Sequence, residues 1–257
     1  ATRDGKLCAF EAEVLVDGGS WSHELGEPPQ NSLSRNTFFA TGPYRIPNVH
    51  IKCYEACTNS PRSIALRGVA GTNFSFAQES QIDQLAARLG MDPLEIRMRN
   101  AMRVGDRTHT DQVLEEGVGI MSALESLRTP YKNALEWAAS GPSSSPWRRG
   151  VGLGTAWRGI GDIEPHSAAV ELLEDGRVLI LVGAAEKGQG ARAILTQIVA
   201  EELSVPVEST TITMADTHLT PYPHVTAAQG TTLVVGAPLH QASRKLREAI
   251  VQVAAEI

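Results

Sequence analysis

Residues 168–203 read AAVELLEDGRVLILVGAAEKGQGARAILTQIVAEEL, and this stretch decides the fold class. Apolar and β-branched residues on both sides of Asp175-Gly176 predict a hairpin of two strands, 168–173 and 177–182, because Asp-Gly readily forms a type I′ turn. The second strand runs into Gly188-Gln189-Gly190, after which apolar residues recur at helical spacing. Strands that alternate with helices and include a local hairpin indicate an α+β (mixed α/β) fold with mixed sheets and flanking helices.

Elements of both kinds are predicted on either side of this stretch. We expect strands at residues 6–17, 49–57 and 210–214, where apolar and β-branched residues concentrate between turn signals. We expect helices at 73–89, stopped by Gly90, at 93–102, begun by Asp92-Pro93, and from about 239 to 256. The segments 18–48 and 216–232 are predicted to be loops, the first of them facing a ligand or an interface.

One segment of the sequence has the composition of a linker. Residues 140–146 read SGPSSSP, and glycine, serine and proline are typical of flexible connections. These residues predict a boundary between a first part, 1–139, and a second part, 147–257.

The composition is that of a globular protein, and it argues against several functional classes. Hydrophobic residues make up 42% and charged residues 20% of the 257 residues, which places the chain outside the disordered and fibrous classes. A net charge of −6 without a basic block argues against a nucleic-acid partner. No apolar run reaches the roughly 18 residues of a membrane span. The chain opens at Ala1 directly before a strand pattern, so we expect upstream sequence to be missing.

Cysteine usage indicates a reducing compartment, for which the cytoplasm is the default. The three cysteines, Cys8, Cys53 and Cys57, are odd in number and lack the spacing of a disulfide scaffold. We interpret all three as small core residues. Cys53 and Cys57 would lie about 13 Å apart on one strand face, at about 3.3 Å per residue, which is too far to chelate one metal ion.

Three glycine-bearing segments are candidates for ligand binding. Gly188-Gln189-Gly190 precedes a predicted helix, so unpaired N–H groups and the helix dipole would favour an anion or a sulfur-rich ligand there. Residues 67–73 combine Arg67 with two glycines before another helix, and residues 224–232 are rich in small and hydroxyl-bearing side chains. The alternatives are an ordinary tight turn, a surface arginine and an ordinary loop.

The familiar catalytic motifs are missing from the sequence. There is no G-x-S-x-G elbow, no Walker or Rossmann fingerprint and no arguable Ser-His-Asp arrangement. The seven histidines have no metal-ligand spacing, so we expect each to be a surface or core residue and no side chain to ligate a metal directly.

The candidate segments also resemble one enzyme family. Residues 67–86, RGVAGTNFSFAQESQIDQLA, and 90–100, GMDPLEIRMRN, resemble the arginine-glycine loop and helix pair of the xanthine dehydrogenase and aldehyde oxidase family of molybdenum hydroxylases. EKGQG at 186–190, with QIVAEEL at 197–203, looks like the Gly-Gln-Gly cofactor turn and helix of that family, and 216–232 looks like its next cofactor loop.

The resemblance implies roles for particular residues. Arg67 and Gly68 match loop residues near the molybdenum, and Val69 falls where many members place a phenylalanine beside the substrate. Arg35 falls where purine-oxidising members carry a substrate-orienting arginine. Gln189 matches the glutamine that approaches the cofactor. The other implied cofactor-binding residues are Gly188, Gly190, Thr226, Ala228, Gln229 and Thr231.

The resemblance further implies a two-part molybdopterin-binding domain within a larger enzyme. Such an enzyme oxidises an aldehyde or an N-heterocycle with water as the oxygen source. Its cofactor is molybdenum–molybdopterin, and the cytosine dinucleotide is one form that this cofactor takes. Its electrons pass to 2Fe-2S and FAD groups on other subunits or domains. The glutamate base of the family has no counterpart before Ile257, so no catalytic residue is nominated, and we expect the remaining part of the subunit to supply it. The alternative is an isolated domain, catalytically incomplete, that folds without cofactor.

Overall fold

The computed structural model describes residues 1–20, 37–61, 67–68, 71–141, 146–157, 165–223, 225–227 and 230–257. The chain forms two compact units, Ala1–Arg158 and Gly159–Ile257. In the first unit the elements are β1 (Phe10–Gly19), β2 (Val49–Cys57), α1 (Gly71–Leu89), α2 (Pro93–Asn100), α3 (Ile120–Ser126) and α4 (Arg128–Ala139). In the second they are β3 (Ala168–Leu172), β4 (Val178–Val182), α5 (Ala191–Leu203), β5 (Thr210–Met214) and α6 (Gly236–Glu256).

The structure contains helices together with one parallel sheet and one mixed sheet, which confirms the predicted fold class. In the first unit β1 pairs with β2 in parallel, from Phe10 opposite Val49 onward. In the second unit β4 lies between β3, which is antiparallel to it, and β5, which is parallel to it. Side chains alternate between half-buried and exposed along most of β1, as expected of a strand with one covered face.

A buried arginine connects the helices of the first unit. The side chain of Arg97, on α2, has no solvent exposure and lies 2.8 Å from Glu79 Oε2 and 2.8 Å from Asp83 Oδ1, both on α1. Its guanidinium also donates to the carbonyl oxygens of Pro93 and Leu153, each at 2.9 Å. Because a buried guanidinium must be both paired and hydrogen-bonded, this arrangement fixes α2 against α1.

Glu79 accepts three further hydrogen bonds, which are divided between its two carboxylate oxygens. The Tyr44 hydroxyl donates at 2.7 Å, and Thr155 donates from its backbone N–H at 2.9 Å and from its hydroxyl at 2.8 Å. Burial, together with the charge of Glu79, holds the pKa of Tyr44 well above its usual range, so the phenol remains protonated. Thr155 therefore belongs to the first unit through contacts that the sequence did not indicate.

The end of α2 is earlier than predicted. The helix was expected to reach Met102, but it stops at Asn100, and Ala101 has extended backbone with ψ 137°. The reason is a tertiary interaction, because Arg45 N donates to Asn100 O at 2.8 Å and Met102 N donates to Pro43 O at 3.0 Å. The predicted start is confirmed, since the Asp92 carboxylate accepts from the N–H groups of the first turn and Pro93 opens the helix.

Two helices of the first unit were not predicted from the sequence. Helices α3 and α4 follow one another with Leu127 between them. Leu124 of α3 packs with Leu94 and Met98 of α2, whereas α4 has no fully buried residue among those described. Such a weakly covered helix carries little apolar periodicity by which to recognise it.

The division into units lies later in the chain than the predicted linker. Residues 142–145 of the predicted 140–146 segment lie outside the described residues. Beyond them, Leu153 and Thr155 contact α2 and Glu79, so the chain up to Arg158 groups with the first unit.

The cysteines lie less deep than a core position would require. All three are free, Cys8 and Cys53 are half-buried, and Cys57 is exposed. The prediction of core packing is therefore wrong for Cys57. Within the described residues, no helix is both long and apolar enough to cross a membrane.

One histidine of the first unit should show a shifted titration. Burial lowers the pKa of His109 below its ordinary value of 6.5, against the opposing effect of a hydrogen bond with the Thr37 backbone. The ring also makes a 3.0 Å hydrogen bond with the Thr41 hydroxyl. A depressed histidine pKa contributes stability that is present above the unfolded value and is lost as pH falls through the folded value. We expect an NMR titration, assigned with His109→Gln, to give a midpoint below 6.5, and a midpoint at or above 6.5 would contradict the structure.

The described residues of the second unit pack around an apolar core. Strand β4 is central, and Val178, Ile180 and Val182 pack against Leu195 and Val199 of α5. Helix α6 covers the same core through Leu239. The predicted hairpin, the helix after the glycines and the strand at 210–214 are all confirmed, the last with identical bounds.

The hairpin turn differs in type from the prediction. Gly176 has φ 83°, whereas Asp175 keeps negative φ, so the turn is not type I′. Gly176 N donates to Leu173 O at 3.0 Å, and Leu173 N donates to Arg177 O at 2.8 Å, as in a type I turn followed by a glycine bulge. The Asp175 carboxylate accepts from Arg177 Nε at 2.7 Å and stabilises this alternative.

The closing helix begins earlier than predicted. It was expected from about Leu239, but α6 begins at Gly236 and is preceded by a π-helical turn at Thr231–Val235. The predicted loop 216–232 is therefore helical in its last two residues. Gly236 permits the early start, because a Cβ there would come within 2.9 Å of the Ile198 side chain on α5.

Candidate functional site

The Gly188-Gln189-Gly190 turn connects the end of β4 to the start of α5. Gly188 has φ 82° and Gly190 has φ 77°, a conformation that favours glycine. A Cβ added at either position would meet no atom within 4 Å. The turn is thus a left-handed backbone with open space on its outer side, where a ligand can approach closely.

The N–H groups of this turn are bound by a side chain of the same segment. Glu186 Oε1 accepts from Gly188 N at 2.8 Å and from Gly190 N at 3.1 Å, and Oε2 accepts from Arg192 N at 3.0 Å. These hydrogen bonds, the one from Arg192 foremost, lower the pKa of Glu186. The expectation of unpaired N–H groups at the helix start is therefore wrong for these three, because a carboxylate already occupies the anion position.

The Gln189 side chain folds back onto its own turn. Its Oε1 accepts from Lys187 N at 2.5 Å, and its Nε2 donates to Ala185 O at 3.0 Å. The side chain is half-buried, while the two flanking glycines are exposed. An amide nitrogen carries two hydrogens, so Nε2 retains a second N–H for a ligand.

Thr226 is joined to this turn by two hydrogen bonds. Ala185 N donates to the Thr226 hydroxyl at 2.9 Å, and the Lys187 ammonium donates to the Thr226 carbonyl. The hydroxyl accepts from Ala185, which leaves its own proton for donation. Two segments that the sequence singled out therefore lie side by side in the second unit, joined by hydrogen bonds between residues 41 and 39 positions apart.

The loop before Thr226 crosses the end of β4 at close range. Gly183 is buried, and a Cβ there would lie 2.6 Å from three atoms of the Pro223 ring. Only glycine allows this approach without a shift of one segment. The contact fixes where the chain arrives at Thr226.

We expect Gly183→Ala to displace the Pro223 segment and to lower the free energy of unfolding by about 1–3 kcal/mol, the usual cost of overpacking. Urea denaturation followed by circular dichroism measures the loss. Gly154→Ala is the control, because a Cβ at Gly154 meets nothing within 4 Å. A Gly183→Ala protein as stable as the control would show that the two segments do not touch.

The remaining predicted residues are distributed as follows. Thr231 is half-buried and opens the π-helical turn, which packs against α5. In the first unit Arg67 is exposed, and Gly68 has φ 105° with its carbonyl accepting from Gly71 N at 2.9 Å. Helix α1 begins at Gly71, two residues before its predicted start. Arg35, Val69, Ala228 and Gln229 lie outside the described residues.

Glu186 is the site residue that the sequence reasoning did not assign. It belongs to the segment 186–190 that carries the family resemblance, but the sequence pattern assigns it no role. An acidic residue two positions before a glycine that precedes a helix was the available signal, because its carboxylate can accept from the N–H groups of the following turn.

The donor set suits an organic or cofactor-borne anion more than a directly ligated metal. Gln189 and Thr226 offer N–H and O–H donors beside an open glycine turn. The part of the chain that the structure describes contains no cluster of three or more histidine, cysteine, aspartate or glutamate residues that could hold a metal ion. The N–H and O–H donors of Gln189 and Thr226 fit a pterin-borne group.

Comparisons with known proteins identify the class. A family model described as a molybdopterin cofactor-binding domain matches residues 125–257, and a second model of the same description matches residues 1–101. These ranges divide the chain at a different place from the two compact units. The chain belongs to this molybdopterin cofactor-binding family.

The sequence is similar to parts of xanthine dehydrogenase and aldehyde oxidoreductase proteins. The xanthine dehydrogenase molybdenum-binding subunit of Escherichia coli O157:H7 is 31% identical over 265 residues, covering 98% of this chain and 34% of the relative. The aldehyde oxidoreductase of Megalodesulfovibrio gigas is 36% identical over 193 residues, 74% of this chain and 21% of the relative. The chain thus spans about a third or less of the length of these curated relatives.

A solved structure agrees with the sequence relatives. The aldehyde oxidoreductase from Desulfovibrio desulfuricans ATCC 27774 superposes with a TM-score of 0.77 at 26% identity, covering 96% of this chain and 27% of that chain. The family resemblance inferred from the three glycine-bearing segments is thereby confirmed.

Proposed function

We propose that this chain holds a molybdenum–molybdopterin cofactor in an enzyme that hydroxylates an aldehyde or an N-heterocycle with water as the oxygen source. The observation that carries the proposal is the pairing of the Gly188–Gly190 turn with Thr226 through Ala185 and Lys187. When bound, the molybdenum–pterin group supplies the two-electron redox chemistry of the hydroxylation.

The chain's own residues would bind and orient that group. The second N–H of Gln189 and the hydroxyl proton of Thr226 are two donors that the internal hydrogen bonds of these segments leave for a ligand. Gly188 and Gly190 let the ligand approach the backbone. Thr231, Ala228 and Gln229 would extend the contact along the pterin or its phosphate, including in the cytosine dinucleotide form.

The family resemblance also implies roles for residues of the first unit. Arg67 and Gly68 would lie near the molybdenum, with Val69 and Arg35 beside the substrate, as the family resemblance implies. Gly68 has the positive φ that a close approach of backbone to ligand requires. The glutamate base and the rest of the subunit would come from other sequence. 2Fe-2S and FAD subunits or domains would receive the electrons, in the cytoplasm.

One observation favours the alternative, a domain that folds without cofactor. Glu186 already accepts from the N–H groups of Gly188, Gly190 and Arg192, so these backbone groups do not need a ligand as their acceptor. An alternative of this kind retains the fold and loses the redox chemistry.

Molybdenum and pterin content decides between the two. The complete enzyme is purified from a host with active cofactor synthesis, and metal is measured by mass spectrometry and pterin by the fluorescence of its oxidised form. The proposal predicts about one molybdenum and one pterin per chain. The cofactor-free alternative predicts neither, from a protein that is nevertheless folded.

A further inference from the structure

Glu186 is exposed, yet its carboxylate makes three hydrogen bonds to backbone N–H groups. The acceptors are both of its oxygens, and the donors, Gly188, Gly190 and Arg192, span the turn and the first residues of α5. Charge-assisted hydrogen bonds of this kind are stronger than neutral ones and fix geometry. A single side chain therefore binds the backbone N–H groups at three positions of the turn and the helix start.

These hydrogen bonds to Glu186 change which groups of the turn can bind a ligand. Two of the N–H groups at the start of α5, those of Gly190 and Arg192, donate to Glu186, and its negative charge lies at the positive end of the helix dipole. A second anion at the same point would be repelled. Ligand contact is left to the side chain between the two glycines, Gln189.

The turn also constrains Gln189 directly. Gly188 and Gly190, on either side of it, are both bound by Glu186 Oε1. The backbone direction at Gln189 is therefore set at both ends by one oxygen atom. Without that oxygen, two positive-φ glycines would be free to change conformation.

We propose that Glu186 is a positioning residue, whose carboxylate locks the Gly188–Gly190 turn so that Gln189, and not the backbone at the start of α5, presents the hydrogen-bond donor to the cofactor. The inference rests on the proposed cofactor-binding function. Glu186 itself touches no cofactor in this account and acts through Gln189.

The test compares Glu186→Gln and Glu186→Asp with the wild type in the complete enzyme. Glutamine keeps the length but replaces one acceptor oxygen with a donor that opposes a backbone N–H, whereas aspartate keeps the charge with a shorter reach. Glu201→Gln, at an exposed carboxylate on α5, the helix that follows the turn, is the matched control. Amide hydrogen exchange of residues 187–192 reports the turn, and molybdenum and pterin content report cofactor retention.

We expect Glu186→Gln to speed amide exchange in the turn about tenfold and to lower molybdenum and pterin occupancy by about tenfold at limiting cofactor, with Glu186→Asp between it and the wild type. The Glu201→Gln control should match the wild type in both. Unchanged exchange in Glu186→Gln would overturn the lock. Faster exchange with unchanged occupancy would overturn the positioning role. A wild-type enzyme without molybdenum would overturn both the proposed function and this inference. That outcome is distinguished from the others because it is seen in the wild type alone.

Discussion

Replacing Arg97 by methionine should lower the free energy of unfolding of the first unit by about 3–5 kcal/mol, the usual cost of breaking a buried ion pair from one side. The variant leaves the Glu79 carboxylate, with a side chain only 8% exposed, without its cationic partner. Methionine occupies much of the same space but offers no donor to Glu79, Asp83 or the Leu153 carbonyl. The loss therefore comes from uncompensated charge and unpaired acceptors.

Tryptophan fluorescence during urea denaturation isolates this effect. All four tryptophans, at positions 21, 137, 147 and 157, precede the division at Arg158, so their signal reports the first unit. Arg99→Met is the control, because Arg99 lies on the same helix with a side chain 44% exposed, and its contact with Asp4 should be worth less than about 1 kcal/mol. If Arg97→Met and Arg99→Met lowered the free energy of unfolding by the same small amount, the hydrogen bonds of Arg97 would not hold the helices together.

Replacing Gln189 by alanine should reduce cofactor retention by about 10- to 100-fold, the range seen when a residue that orients a metal centre is removed. Alanine deletes the remaining N–H donor of the turn and the hydrogen bonds to Ala185 O and from Lys187 N. The three hydrogen bonds to Glu186 do not involve the Gln189 side chain and should persist.

The measurement is molybdenum occupancy of the complete enzyme after dialysis. Gln197→Ala, an exposed glutamine on α5, serves as the control for loss of an amide. Thermal stability should be close to that of the wild type in both variants, because the substituted side chains are not core residues. Full occupancy in Gln189→Ala would remove Gln189 from the site.

Local patterns in the sequence were sufficient for most elements. The strand at 49–57 and the strand at 210–214 have their predicted bounds, since apolar alternation and flanking turns define both. The N-terminus of α2 was equally local, because Asp92 and Pro93 act within their own turn. Where ends were missed, distant residues decided them. Helix α2 stops at Asn100 because Pro43 and Arg45 bind the chain there.

The sequence predicted which segments form the candidate site, but it did not predict which of them contact each other. Spacing and resemblance indicated the Gly188–Gly190 turn and Thr226 separately, whereas the hydrogen bonds through Ala185 and Lys187 join residues about 40 positions apart. The expectation that the N–H groups of the turn are unpaired was also wrong for Gly188, Gly190 and Arg192. The availability of a backbone N–H depends on which nearby side chain reaches it, and the glycine pattern does not specify that Glu186 does so.

The location of the cofactor is the central claim, and one measurement tests it most directly. In crystals of the complete, molybdenum-containing enzyme, anomalous diffraction at the molybdenum edge gives the metal position independently of any assumed ligand. The account predicts a peak beside the Gly188–Gly190 turn, with the Gln189 amide in hydrogen-bond contact with the cofactor and the Thr226 segment alongside. A peak remote from both segments would contradict it.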